Sequence, residues 1–179
     1  MSTDRFISPE IVASHFHLRT GDKVGDFGAG AGNFSAVLSR LVGHEGRVYA
    51  SEIQKNLVDT LNDRVKRENF TNMEVVWGDV EESGGTKIED GVLDAAVIVN
   101  TLFQMEERET ALREISRTLR SGGKLFIIDW SESWGGLGPQ PNDVLTESEA
   151  KALAESLGLT FERSFDAGDH HYGLAFRKA

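Results

Sequence analysis

Phe34, Val37, Leu38 and Leu41 recur at helical spacing, as do Leu57, Val58, Leu61 and Val65, and then Leu112, Ile115 and Leu119. Each set predicts a helix that lays one apolar stripe on a sheet. Short apolar runs alternate with these stripes at residues 24–27, 47–52, 73–77, 93–99 and 124–129. The last two are nearly continuous, as expected of central strands buried on both faces. Ser8-Pro9-Glu10 starts a first helix, running to about His17, with an N-cap, a first-turn proline and an acid in the first turn. A helix over residues 106–119 is stopped by Ser121-Gly122-Gly123, and a capping box at residues 146–149 opens a last helix. Residues 159–165 and 171–176 then read as two hairpin strands, and the alternation of Tyr172, Leu174 and Phe176 predicts an antiparallel edge with one covered face. Strand and helix in alternation, closed by a hairpin, predict an α/β three-layer sandwich.

The stretch from Val24 to Ser35 organises the rest. A strand, three glycines at alternate positions and a helical pattern describe a strand turning sharply into a helix. Glycine permits positive φ and close approach of backbone to a ligand, and the helix opens its amino end onto the turn. That is a cofactor site in outline. A dinucleotide fingerprint needs a glycine at position 33, where Asn33 stands. The pattern is instead Asp-x-Gly-x-Gly-x-Gly over Asp26, Gly28, Gly30 and Gly32.

A length of 179 residues suits one domain over residues 1–179. The net charge of −10 argues against a broad nucleic-acid surface, because such affinity rests on neutralising phosphates. Lys66 with Arg67, and Arg113, Arg117 and Arg120, read as solvated helix faces. The absence of cysteine excludes disulfides, thiolate metal sites, thiol nucleophiles and cysteine-bound iron–sulfur clusters. With no apolar leader core at the amino terminus and no run of membrane-spanning length, a cytoplasmic protein without a membrane span is expected.

The glycine pattern resembles the first motif of class I S-adenosylmethionine (SAM) methyltransferases. The order of elements resembles that family over nearly the whole chain, which implies a Rossmann-like, mainly parallel seven-stranded sheet with an antiparallel carboxyl-terminal strand. Residues 94–103 resemble the family's fourth motif, whose strand end, here Asn100, faces the sulfonium. Asn100 is followed by Thr101 and Leu102 rather than the Pro-Pro-aromatic of the amino-methylating branches, which weighs against base amines and glutamine amides as acceptors. The turn over residues 119–125 resembles the small-molecule branch, and the ubiquinone/menaquinone-biosynthesis type methyltransferases in particular.

This resemblance implies SAM as cofactor, gripped at the carboxyl ends of the strands. Asp26 is the candidate for the methionine ammonium, directly or through water, and the backbone of Gly28, Ala29, Gly30 and Gly32 for the rest of the methionyl portion. Glu52 offers two oxygens to two ribose hydroxyls. Asp79 suits an adenine amine, the Val80 N–H a ring nitrogen, and Ile53 and Val80 the purine faces. Taken singly, each acid is as readily a turn former or cap neighbour; three at successive strand ends point to one pocket.

The resemblance further implies in-line methyl transfer to a small or amphipathic acceptor, accelerated mostly by placement and exclusion of water. Where a base is needed, His170, His171, Tyr172, Asp129 and Glu132 are the candidates. Neighbouring strand residues face opposite sides, so His170 and His171 cannot readily chelate one ion, and no metal site is expected. Trp130, Trp134 and Phe103 are candidates for an apolar acceptor wall, or equally for core and loop anchors. Protein or RNA methylation, a non-catalytic SAM-binding module and a nicotinamide oxidoreductase stay open as alternatives.

Overall fold

The computed structural model describes residues 7–179; residues 1–6, which carry the expectation of no apolar leader core, lie outside the described residues. In chain order the elements are α1 (Pro9–Ser14), β1 (Lys23–Phe27), α2 (Asn33–Val42), β2 (Arg47–Glu52), α3 (Lys55–Glu68), β3 (Met73–Trp77), β4 (Leu93–Val99), α4 (Arg108–Thr118), β5 (Leu119–Trp130), α5 (Glu147–Ser156), β6 (Leu159–Phe165) and β7 (His171–Lys178). Period-two alternation sorts the central strands onto two faces. Ala96 and Ile98 of β4 and Leu125 and Ile127 of β5 join one apolar cluster, while Ala95, Val97, Phe126 and Ile128 join the other. Helices cover both faces, as a sheet buried on two sides requires. Val12, Val37 and Leu38 from α1 and α2 complete one cluster; Leu112, Ile115, Ala150 and Ala154 from α4 and α5 complete the other.

The seven strands form one sheet in the order β3-β2-β1-β4-β5-β7-β6, with β7 antiparallel to both its neighbours and all other pairs parallel. The α/β three-layer sandwich and its antiparallel carboxyl-terminal strand match the expectation. The carboxyl ends of β3, β2, β1, β4 and β5 share one rim, and β7 brings its amino end, His171, to the same rim beside Trp130. The Thr146 capping box is present, its hydroxyl and the Glu149 carboxylate exchanging bonds with each other's backbone N–H.

Four boundaries differ from the sequence reading. The first helix ends at Ser14, and His17 turns the chain with φ of 51°. The strand containing Tyr172, Leu174 and Phe176 is interior; β6 is the edge. Gly173 and Ala175, which interrupt the alternation, are small enough to be covered as well, and the Phe165 ring lies where a Gly173 Cβ would stand. Helix α4 spans Arg108–Thr118, and Leu119 is already extended. The strand after it begins at Leu119, not Lys124: Leu93 pairs Leu119 and Ala95 pairs Lys124, so residues 120–123 bulge out opposite Asp94 alone.

Between β3 and β4 a loop stands where the alternation would place a helix. The Glu114 carboxylate of α4, 2% exposed, holds it by accepting from the Gly84 N–H at 2.8 Å, the Thr86 N–H at 3.2 Å and the Thr86 hydroxyl at 2.5 Å, with Arg117 pairing both oxygens. These donors hold the Glu114 carboxyl down at about 2 against the desolvation that opposes it. Its stabilisation is therefore full above the ordinary glutamate range and is lost as pH falls towards 2. Glu114→Gln is expected to cost about 3 kcal/mol at pH 7, with the deficit relative to wild type shrinking as denaturant titrations move from pH 5 towards pH 2. A deficit independent of pH would contradict the assignment.

Candidate active site

The turn after β1 is built against β2. Gly28 and Ala29 donate their N–H groups to Ser51 O at 2.9 and 3.0 Å, Gly30 donates to Glu52 Oε2 at 2.9 Å, and Gly32 donates to Ala29 O at 2.9 Å. Gly28 needs to be glycine twice over: its φ is 75°, and a Cβ would meet Thr101 at 2.6 Å. Gly30, with φ of 56°, would direct a Cβ into open space. Arg64 of α3 ties the far side of the turn, donating to Ala31 O at 2.9 Å and Asn33 Oδ1 at 2.8 Å. The N–H groups of Gly28, Ala29, Gly30 and Gly32 are thus taken up within the protein. The carbonyls of Gly28 and Gly30 accept no hydrogen bond among the described residues.

A cleft of about 440 Å³ opens beside this turn at the carboxyl rim of β1 to β4. Of the sequence-predicted residues, Gly28, Gly30, Glu52, Ile53, Asp79, Val80 and Asn100 line it together. Glu52 is 5% exposed, and its Oε1 accepts from the N–H groups of Ile53 and Gln54, both at 2.9 Å. With Gly30 on Oε2, three of its four acceptor positions are filled, so one hydroxyl rather than two finds a ready place. Asp79 Oδ1 accepts from the Glu81 N–H at 2.8 Å, and the Val80 N–H has no partner among the described residues. Asn100 sits at φ of 52°, anchored by its N–H to Ile128 O at 2.9 Å, and its Oδ1 is buried with no partner.

Asp26, Ala29 and Gly32 do not line the cleft. The Asp26 carboxylate, 2% exposed, turns towards α2 and accepts from the Ser35 hydroxyl at 2.5 Å. Burial pushes its carboxyl up to about 6, with Glu52 adding repulsion. Gly32 is the N-cap of α2 and lies against Leu61.

Sequence reasoning missed the wall formed by Thr101, Gln104 and Met105, and the contributions of Gln54 and Leu57. The signal for the last two was their place directly after Glu52. Among the described residues no basic side chain lines the cleft, whereas Glu52, Asp79 and Glu81 do. An acid-lined cleft with unpaired carbonyl and amide oxygens matches a ligand that brings hydrogen-bond donors and positive charge. It suits a pyrophosphate less well, because four of the turn's N–H groups are already used.

The catalytic candidates stand at the β5 and β7 end of the same rim. Asp129 is fully buried and accepts from the N–H groups of Phe103 at 3.0 Å and Trp130 at 2.9 Å. It fixes the 3-10 turn Leu102–Gln104, which Arg108 clamps from the other side through Leu102 O and Phe103 O. Burial raises the Asp129 carboxyl to about 6. The Tyr172 hydroxyl donates to Leu145 O at 3.0 Å, and burial raises its pKa strongly.

His170 is not in the strand: it lies at φ of 66° just before β7, so the opposite-faces argument does not apply to the pair. Its ring stacks on Trp134 at 4.5 Å and its Nδ1 meets Glu132 at 2.8 Å. The His171 ring lies on Trp130 at 4.2 Å, and its Nδ1 meets Asp169 O at 2.9 Å. A carbonyl partner assigns the proton to Nδ1 and leaves the Nε2 lone pair free. Burial lowers the His171 pKa, which keeps the ring neutral. Both Nε2 atoms are buried without a partner among the described residues. Trp130 is covered by the 131–145 segment, where Gly138 packs flat on its indole.

The methyltransferase-domain family matches residues 25–127, more than half of the chain, and the chain belongs to that family. It is 32% identical over 133 residues to the ubiquinone/menaquinone biosynthesis C-methyltransferase UbiE of Chromobacterium violaceum, covering 72% of this chain and 53% of that protein. The UbiE protein of Pasteurella multocida is 33% identical over 119 residues, 64% of this chain and 42% of the relative. The chain spans about half the length of the curated relatives it matches. Among solved structures, a SAM-dependent methyltransferase from Aquifex aeolicus superposes with a TM-score of 0.89 at 28% identity, over 97% of this chain and 91% of that one. The [4+2]-cyclase SpnF superposes with a TM-score of 0.80 at 16% identity, over 95% and 79%, a likeness of fold alone.

Because a Gly30 Cβ would enter the cleft without touching protein, Gly30→Ala separates folding from binding. The substitution is expected to cost about 1–2 kcal/mol of stability through its left-handed backbone. Calorimetric affinity for S-adenosylhomocysteine is expected to fall by roughly tenfold or more. Unchanged affinity would place the ligand elsewhere.

Proposed function

We propose that this chain is a SAM-dependent methyltransferase acting on a small or amphipathic acceptor, with residues 1–179 working as one cytoplasmic domain. The observation that carries the reading is the cleft at the glycine turn, which among the described residues has oxygen acceptors and acids but no basic side chain. SAM brings an ammonium, ribose hydroxyls, an adenine amine and a sulfonium that activates its methyl group for displacement. In this reading the Gly28 and Gly30 carbonyls and Asn100 Oδ1 accept from the cationic amino-acid end. Glu52 Oε2 accepts from one ribose hydroxyl. Asp79 and the Val80 N–H meet the adenine edge, and Ile53, half exposed at the rim, closes over its face. Asp26 acts from behind the turn, holding Ser35 and adding negative potential.

The acceptor then lies over the rim of β4, β5 and β7, against the half-buried Trp134. His171 is the base of this reading: its Nε2 lone pair, buried and unpartnered among the described residues, takes a proton from a hydroxyl whose ring is to be methylated once the cover over it opens. Asp129 and Tyr172 are positioning residues, since their oxygens are engaged with backbone groups. The UbiE relatives are named for C-methylation in quinone biosynthesis, and a hydroxylated aromatic ring suits an indole wall with a nearby proton acceptor. RNA acceptors are less favoured, because the cleft and the chain are both acidic. Among the described residues no helix is long and apolar enough to cross a membrane.

Incubating the protein with methyl-labelled SAM and a metabolite extract is expected to label a small hydroxylated aromatic compound. With that acceptor, His171→Phe, which keeps a ring on Trp130, is expected to lower kcat at least tenfold, about 1.4 kcal/mol in the barrier, with S-adenosylhomocysteine affinity unchanged. Undiminished turnover would remove His171 from the proton transfer, and an extract left unlabelled would count against the acceptor class.

A further inference from the structure

A second cavity of about 380 Å³ lies at the opposite rim of the sheet, among the amino ends of the strands. Its charged lining comes from separate segments: Arg19 and Asp22 from the turn before β1, Asp94 from β4, Arg120 and Lys124 from β5, and Arg177 from β7. Four cations against two carboxylates run counter to a chain whose net charge is −10. The carboxylates are engaged locally. Asp94 accepts from the Lys23 N–H at 2.9 Å and Arg120 Nε at 2.7 Å, and Asp22 accepts from the Arg19 N–H at 2.8 Å.

Lys124 is the residue that needs explaining. It is half-buried, and the antiparallel register sets it directly opposite Arg177. Like charges facing each other across a strand pair are destabilising. Arg177 is compensated by Glu162, whereas the Lys124 ammonium has no hydrogen bond or ion pair among the described residues, and neither does the Arg19 guanidinium. Helix ends do not account for these charges, because the carboxyl end of α4 is already capped by Lys178, which donates to Ser116 O and Leu119 O at 2.7 Å. The bulge at residues 120–123, built around Asp94, projects Arg120 to the same mouth.

We propose that this cavity is a binding site for the phosphate group of a small soluble molecule, held by Lys124, Arg19 and Arg120. A dianion there supplies the counter-charge that Lys124 lacks and accepts from the unengaged donors of Arg19 and Arg120. The site lies across the sheet from the acid-lined cleft and does not depend on the methyl-transfer reading. The pocket is recessed between the turn before β1 and the bulge, which suits a free phosphate ester rather than the headgroup of a packed lipid surface.

Inorganic pyrophosphate, titrated at fixed ionic strength, serves as the probe. Saturable binding is expected by calorimetry, with amide NMR shifts confined to residues 17–22, 94, 120–124 and 177. Lys124→Met is expected to weaken it about tenfold or more, as loss of a charged hydrogen bond implies, while leaving the unliganded protein no less stable than wild type. Arg19→Gln, on an exposed turn, is expected to weaken binding without a change in fold. Absence of saturable binding, shifts at Gly28 or Glu52, or affinity unchanged from wild type in both variants would overturn the proposal. So would capture by phosphatidylcholine vesicles doped with phosphatidic acid when pyrophosphate gives no response.

Discussion

Three hydrogen bonds between the glycine turn and β2 set the character of the site. By giving the Gly28 and Ala29 N–H groups to Ser51 and the Gly30 N–H to Glu52, the turn is closed against the neighbouring strand and left with outward carbonyls. A strand-to-helix turn of this shape ordinarily serves anions, through its free N–H groups and the helix end behind it. Here the same backbone is inverted in its preference. Glu52 is at the centre of the inversion, because one buried carboxylate closes the turn and leaves an acceptor facing the cleft.

The parallel sheet carries that local choice outward. Strand ends at one rim place Glu52, Asp79 and Asn100 on the cleft, and the order β1-β4-β5-β7 puts Trp130 and His171 on the same rim beyond Asn100. Asp129 links the two halves, since its carboxylate grips the backbone of the turn that forms the cleft wall while its neighbour Trp130 begins the aromatic surface. A fold that also supports a [4+2]-cyclase does not specify its chemistry. In the proposed reading the charge of the cleft and the two histidine nitrogens without partners among the described residues do that.

Much of the architecture was legible because it is written in short-range pattern. The unbroken apolar runs of β4 and β5, the helical stripes and the Thr146 capping box each declare themselves within a few residues. The acids at strand ends were legible for the same reason: Glu52 and Asp79 follow strands that end where the pattern ends. What escaped depends on partners distant in sequence. Asp26 turns to Ser35 rather than the cleft, and Arg64 reaches the glycine turn from another helix. Glu114 holds a loop 28 to 30 residues away. β7 looked like an edge because Gly173 and Ala175 break its apolar run, and only the packing of Phe165 shows them covered. The bulge after α4 was hidden because Leu119 serves both the helix stripe and the first strand pair.

In the proposed reading the turn's hydrogen-bond polarity selects a cationic nucleoside over an anionic dinucleotide. The direct test is calorimetry of the unmodified protein with SAM and with oxidised nicotinamide adenine dinucleotide under identical salt. Saturable binding of SAM at the cleft with no binding of the dinucleotide is the expected result. Preference for the dinucleotide, or equal affinity for both, would contradict the account.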